Sequence, residues 1–118
     1  MIQIKNTAIF KSLFVNKPHP TLIKVISWIE DRWPGIVITC GYEPRPGRTS
    51  VHSTNPLRGI DLRSRTFANP HAVADEINKH WAYDPKRPEK VVALFHDVGR
   101  GPHFHIQVHP NTQRIIHE

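Results

Sequence analysis

The chain has 118 residues, which suits one domain with its own hydrophobic core, and we expect a single domain spanning residues 1–118. Hydrophobic residues make up 38% of it and no segment approaches the roughly 20 apolar residues of a membrane-spanning helix, which excludes a helical membrane protein. The single cysteine, Cys40, excludes an intrachain disulfide and a thiolate-rich zinc cluster, so a metal ion would have to be held by histidine and carboxylate side chains.

The formal charge of +6 and the pI near 9.9 would suit an acidic partner. The basic residues are scattered, however, and we interpret most of them as ordinary surface, with the arginines of the central region as the exception. We therefore do not expect nucleic acid as a partner, and we expect a monomer. The first residues lack a charged leader followed by an apolar run, so we expect no secretory signal and a protein that is cytoplasmic when made.

The first third of the chain contains one ambiguous segment and one clear helix. Residues 1–18 combine strand-like alternation at Ile2 and Ile4 with a helical stripe further on. From Pro20 the apolar residues recur at helical spacing until Pro34 and Gly35 end the run. This pattern predicts an amphipathic helix whose buried stripe comprises Leu22, Val25, Ile26, Ile29 and Trp33.

Two short strands flank a long loop in the middle of the chain. Residues 36–40 form a β-branched run that predicts a buried strand, in which Cys40 is most simply a small apolar filler. Residues 41–58 contain three prolines and two glycines and predict a long loop, which in a small domain is usually functional or mobile. In the strand predicted for residues 59–63, Ile60 and Leu62 point inward and Asp61 points to the opposite face.

The last third of the chain predicts a helix and a hairpin. Asn69 and Pro70 are typical of a helix start, and we expect this helix to end near Tyr83. Residues 90–96 and 103–108 then predict a β-hairpin, with His103 and His105 on the face opposite to its core side chains. The element order predicts an α+β fold with helices packed against one face of a small, mainly antiparallel sheet and a site on the other face.

Three polar side chains are expected to meet on that open face: His52 from the loop, Asp61 from the following strand and one histidine of the hairpin. Two neutral imidazoles and one carboxylate, with a fourth position left open, are typical of catalytic zinc. Such a site activates water and polarises a carbonyl oxygen, which is the chemistry of amide hydrolysis.

The pattern Ser50-x-His52, Gly59-x-Asp61 and His103-x-His105 resembles the metal-binding signature of zinc peptidases that cut bacterial cell-wall peptides. This group includes D-alanyl-D-alanine carboxypeptidases, phage endolysins and murein endopeptidases, and it shares its fold with the hedgehog signalling domain. The resemblance implies that His52, Asp61 and His105 bind Zn²⁺ and that the substrate is a peptidoglycan peptide. The small size, the basic charge and the lack of a signal would suit a phage or prophage enzyme that other proteins carry or release to the cell wall.

The resemblance also implies a substrate-binding region and leaves the general base open. An arginine precedes the Ser-x-His motif in many members, and Arg45, Arg48 and Ser50 are the candidates here. The glutamate that the carboxypeptidase branch carries three residues before its last ligand is replaced by Pro102. The murein endopeptidase branch also lacks it, which makes His103 the first candidate for the base, with His96 second and Asp97 third.

Two alternatives remain. The hairpin strand also resembles the His-φ-His-φ-Gln motif of histidine-triad nucleotidyl transferases, where φ is apolar, with Gln107 at its last position. That resemblance leaves His52 and Asp61 without a role. The second alternative is a non-catalytic module of the same fold, in which zinc is structural or lost and the basic loop binds an anionic polymer or a phage partner. The missing glutamate favours it.

Overall fold

The computed structural model describes residues 1–44, 46–47, 49–97 and 101–116, which form an α+β fold. Three helices are present in this part of the chain: α1 (Thr7–Val15), α2 (Pro20–Arg32) and α3 (Pro70–His80). The main sheet has the order β1-β2-β3-β6-β5, and β4 pairs with β7 in a second, two-stranded sheet. The strands are β1 (Gln3–Ile4), β2 (Val37–Cys40), β3 (Gly59–Leu62), β4 (Trp81–Ala82), β5 (Ala93–Asp97), β6 (Pro102–Gln107) and β7 (Gln113–Arg114).

The main sheet is mainly antiparallel, as predicted. β1 pairs with β2 in parallel, whereas the β2–β3, β3–β6 and β5–β6 pairs are antiparallel. β6 lies between β3 and β5, so the predicted hairpin of β5 and β6 is confirmed and its second strand is central. Polar side chains on β3 and β6 are therefore flanked by strands on both sides, which restricts their movement.

Helices α2 and α3 bury their apolar stripes against one face of this sheet. Their buried side chains belong to the same core cluster as alternate residues of β3 and β6. Phe104 and Ile106 of β6 lie directly opposite Leu62 and Ile60 of β3 in that core. The intervening residues of the same strands consequently point to the other face, which these two helices do not cover.

Both helices begin with the predicted local chemistry. The side chain of Asn69 accepts a hydrogen bond from Ala72 N at the start of α3, with Pro70 in the first turn. At the start of α2 the Nδ1 atom of His19 accepts from Thr21 N, followed by Pro20 at the first helical position. The four apolar residues of α2 that the structure buries are Leu22, Val25, Ile26 and Ile29, all of which the sequence predicts.

Three details differ from the prediction. The ambiguous N-terminal segment contains both alternatives, a short strand followed by a helix. The helix expected to reach Tyr83 ends at His80, because Trp81 is extended and pairs with Arg114 of β7. The strand expected from residue 90 begins at Ala93, although Val92 already accepts a hydrogen bond from Gln107 N. None of the helices in the described ranges is long and apolar enough to cross a membrane.

Candidate metal centre

The open face of the sheet carries a cross-strand pair of Asp61 and His105. These two residues lie directly opposite each other in the β3–β6 register. The Nδ1 atom of His105 lies 3.0 Å from Oδ1 of Asp61. Both side chains are partly buried, with exposed fractions of 15% and 19%. They are therefore held on two adjacent central strands and remain accessible from one side.

The loop before β3 brings His52 to the same carboxylate oxygen. His52 lies in a short 3₁₀ helix (Val51–Ser53), whose first turn is capped by Ser50 Oγ accepting from His52 N. The imidazole is 3% exposed, and its Nε2 atom lies 3.2 Å from Oδ1 of Asp61. Two imidazoles from distant parts of the chain thus converge on one carboxylate oxygen.

The far nitrogen of each imidazole faces an oxygen that only accepts hydrogen bonds. Nδ1 of His52 lies 3.0 Å from the carbonyl oxygen of Gly41, so it carries a hydrogen and donates it. Nε2 of His105 lies 3.2 Å from Oε1 of Gln107. The amide of Gln107 is oriented by its own donation to Val91 O at 2.9 Å, which leaves Oε1 as the acceptor for His105.

These contacts determine which atoms face Asp61. If the far nitrogens carry the hydrogens of the neutral imidazoles, the lone pairs of the near nitrogens face Asp61 Oδ1 and are repelled by it. A positive charge among them removes this repulsion, either as a proton or as a metal ion. Histidine ligands whose second nitrogen donates to an oxygen are also the usual arrangement in metal sites. Imidazole and carboxylate groups placed in this way could take part in binding a metal ion.

The ionisation of the metal-free cluster follows from the same geometry. Burial opposes the charged form of His52, but its hydrogen bonds with Asp61 and Cys40 outweigh burial and raise its pKa to about 10. For Asp61, burial opposes ionisation, but the hydrogen bonds with His105 and His52 hold its pKa well below the usual range. Without a metal ion, a proton on Nε2 of His52 and a hydrogen on Nδ1 of His105 face the Asp61 carboxylate, and a bound metal ion would replace both.

Cys40 also belongs to this cluster, which the sequence interpretation missed. Its Sγ atom lies 3.6 Å from Nδ1 of His52 and 3.4 Å from Oε2 of Glu43. Donor atoms of Cys40, His52 and Asp61 all lie within 4.8 Å of one another and could hold a metal ion. The sulfur, however, contacts the same ring nitrogen of His52 that faces Gly41, whereas His105 approaches on the side of Asp61.

The interpretation of Cys40 as a core filler is wrong for a specific reason. Simple alternation from Ile36 and Ile38 would put Cys40 on the core face. The β2–β3 register shifts between Ile38 and Cys40, and this irregularity places Cys40 opposite Asp61 on the open face. No sequence signal marks the irregularity. Glu43, which was also not predicted, follows in the loop, and its backbone N–H donates to His52 O.

Of the remaining predicted site residues, His103, His96 and Ser50 lie in the described part of the chain. His103 and His96 are directly opposite each other in the β5–β6 register, with ring centroids 6.2 Å apart. His103 is two residues before His105 on the same face, which corresponds to about 6.5–7 Å along the strand. Ser50 caps the 3₁₀ helix rather than pointing to a free space. Arg45, Arg48 and the side chain of Asp97 lie outside the residues that the structure describes.

The arrangement holds two imidazoles, a carboxylate and a thiol at the accessible side of a central strand pair. It could bind a metal ion, and its histidines could also transfer protons. Comparisons with protein-family models, with curated proteins and with solved structures found no match to this chain.

Proposed function

We propose that the chain is a zinc-dependent peptidase that hydrolyses a peptide bond in bacterial peptidoglycan, with a fold of the hedgehog and D-alanyl-D-alanine peptidase type. One observation carries the proposal: the nearest nitrogens of His52 and His105 converge on Asp61 Oδ1, while their other nitrogens lie 3.0 and 3.2 Å from the oxygens of Gly41 and Gln107. The order of the three residues in the sequence resembles that of the cell-wall peptidases, although two more residues separate His52 from Asp61 than in the commonest family pattern.

In this proposal His52, Asp61 and His105 hold the metal ion through Nε2, a carboxylate oxygen and Nδ1. The ion, when bound, supplies a Lewis acid that activates water and polarises the scissile carbonyl. Gly41 and Gln107 orient the two imidazoles through their oxygens. His103, on the same face of β6, accepts and returns the proton, with His96 as its neighbour on β5. Arg45 or Arg48 binds a carboxylate of the peptide.

A non-catalytic zinc-binding module is the second candidate. The observation that favours it is Pro102, which is exposed at the start of β6 where the carboxypeptidase branch carries its catalytic glutamate. Such a module would keep the metal ligands and the fold but would leave peptidoglycan intact. The two candidates therefore differ in hydrolysis and agree in metal binding.

The test combines metal analysis with muropeptide digestion. We expect purified wild-type protein to contain one zinc ion per chain and to change the masses of muropeptides after incubation. His105→Ala should lose both properties, whereas His71→Ala, at an exposed histidine on α3, should keep both. A wild-type chain that binds no zinc would contradict the metal site. Stoichiometric zinc without any change in muropeptide mass would instead support the module.

The ligand set is distinguished by Cys40→Ser. If His105 is the third ligand, this variant keeps its zinc, and the Co²⁺-substituted wild-type protein shows no thiolate-to-cobalt absorption. Loss of zinc in Cys40→Ser, with retention in His105→Ala, would assign the metal to Cys40, His52 and Asp61 instead.

The general base is distinguished in the same assay, because His103→Ala should keep zinc and slow hydrolysis by about 10²–10⁴-fold. An equal loss in Glu43→Gln alone would assign the proton transfer to the loop carboxylate.

A further inference from the structure

Helix α1 exposes an apolar surface that neither the metal centre nor the core explains. None of its nine residues is fully buried. Phe10, Phe14 and Val15 have exposed fractions of 48%, 66% and 78%. The two phenylalanine rings touch edge to face, with centroids 4.9 Å apart. Large aromatic side chains in such positions are unusual unless they contact another molecule.

The opposite side of α1 is anchored to the body of the protein. Ile9 and Leu13 are partly buried and pack against the core. The side chain of Asn6 accepts from Ile9 N and caps the first turn. After the helix, Asn16 donates from Nδ2 to Thr54 O, which ties the segment to the loop that carries His52. The apolar surface is therefore presented on a fixed helix with a defined orientation.

The sequence segment that contains α1 carries only positively charged side chains. The first acidic residue of the chain is Glu30, and the preceding segment contains four lysines, all exposed: Lys5, Lys11, Lys17 and Lys24. Within α1, Lys11 is three and four residues from Phe14 and Val15, so its side chain borders theirs on the helix surface. The carboxylate of Glu30 itself forms an ion pair with the amino group of Met1.

We propose that α1 docks on an anionic lipid surface, with Phe10, Phe14 and Val15 entering the headgroup region and the lysines pairing with lipid phosphates. Exposed aromatic and aliphatic side chains bordered by lysines are the composition of helices that bind in the membrane interface. Each lysine near such a surface adds electrostatic attraction. Two copies of the same positive face would repel each other, which argues against a homodimer, and nucleic acid would not require the apolar side chains.

The docking is independent of the metal centre, and its test uses the full chain with vesicles. We expect the wild-type protein to sediment with vesicles that contain phosphatidylglycerol and to bind pure phosphatidylcholine vesicles about tenfold more weakly. Phe10→Ser combined with Phe14→Ser should lower binding to the anionic vesicles by about tenfold or more. Both residues are exposed, so the variant should keep the wild-type circular dichroism spectrum.

The matched control is Ile116→Ser, which removes an apolar side chain of 84% exposure outside α1 and should leave vesicle binding unchanged. Lys11→Glu combined with Lys17→Glu should abolish the preference for anionic vesicles. Wild-type protein that stays in the supernatant would overturn the proposal, as would unchanged binding of the phenylalanine variant. A wild-type dimer that this variant dissociates, without any vesicle binding, would assign the face to a second copy and equally overturn it.

Discussion

Gln107 shows how one side chain acquires a different role once its contacts are known. In the sequence it completes a motif that resembles the histidine-triad enzymes. In the structure its amide donates to Val91 O and places Oε1 3.2 Å from His105 Nε2, where it would accept the hydrogen of Nε2 when Nδ1 binds a metal ion. Such a residue does not touch the metal ion but determines the tautomer of a ligand.

Replacement of Gln107 by leucine should weaken metal binding without unfolding the protein. Leucine has a similar size but leaves the hydrogen on His105 Nε2 without its acceptor, so we expect zinc affinity to fall by about 10–100-fold. Titration with a competing chelator measures this change. Gln113→Leu, at an exposed glutamine of β7, should leave the affinity unchanged. Equal affinities of Gln107→Leu and wild type would show that the amide does not orient the ligand.

For single residues, the sequence predicts which face of the sheet a side chain lies on where the strand alternates regularly. It misses the side chains whose position depends on irregular backbone. Asp61 and His105 follow the period of two, and both are on the predicted face. Cys40 reverses its face at the irregularity in β2, and Glu43 approaches it through a loop without repeating structure. Local patterns contain no information on either feature, because both arise from contacts with distant residues.

The position of the His52 loop over β3 depends on a glycine. A Cβ atom on Gly59 would lie 2.8 Å from Cβ of Val51 and closer still to its Cγ2. The 3₁₀ helix that carries His52 therefore lies directly against the β3 backbone. In this chain the close contact, rather than the backbone conformation, therefore leaves no room for a side chain two residues before Asp61.

Gly59→Ala should consequently displace the loop. We expect a loss of about 1–3 kcal/mol in the free energy of unfolding, from overpacking against Val51, and a lower zinc affinity because His52 moves with the loop. Denaturant unfolding and chelator competition measure the two effects. In a chain that already carries Val51→Ala, Gly59→Ala should cost less unfolding free energy and less zinc affinity than it does in the wild type. Equal costs in the two chains would indicate that the clash lies elsewhere.

At the level of elements, long periodic segments were predicted and short paired ones were not. α2 and α3 have stripes of buried residues at helical spacing, and each begins at the predicted proline. β4 and β7 have two residues each and exist only because they pair with each other across more than thirty positions. Such pairing depends on the complete fold and leaves no local pattern.

The whole molecule should show a dependence of stability on pH that a bound metal ion changes. The pKa of His52 is raised from 6.5 to about 10 in the folded, metal-free chain. Its contribution to stability is therefore fully present below pH 6.5 and is lost as the pH rises through about 10. For Asp61, whose pKa is lowered, the contribution is present above pH 3.8 and is lost on acidification below it.

In the presence of a chelator we accordingly expect the free energy of unfolding to decrease by on the order of 2 kcal/mol between pH 6.5 and about 10. The melting temperature should fall over the same pH range. His52→Gln should flatten this alkaline decrease. With saturating zinc we expect the melting temperature to fall on acidification instead, because protons compete with the metal ion for the imidazoles. A pH-independent melting temperature in the chelated wild type would contradict the buried ion pair.

The interior position of β6, between β3 and β5, affects the rate at which the folded state unfolds when a metal ion is bound. β6 comes after β3 and β5 in the chain but is inserted between them, and His105 is 44 residues from Asp61. His52 and Asp61 are near neighbours in the sequence, whereas the complete ligand set exists only after this late strand has docked. An ion held by all three side chains would therefore act mainly on the unfolding rate and hardly on the folding rate. A bound metal ion would then lengthen the lifetime of the folded state even where it adds nothing to the rate at which the chain folds.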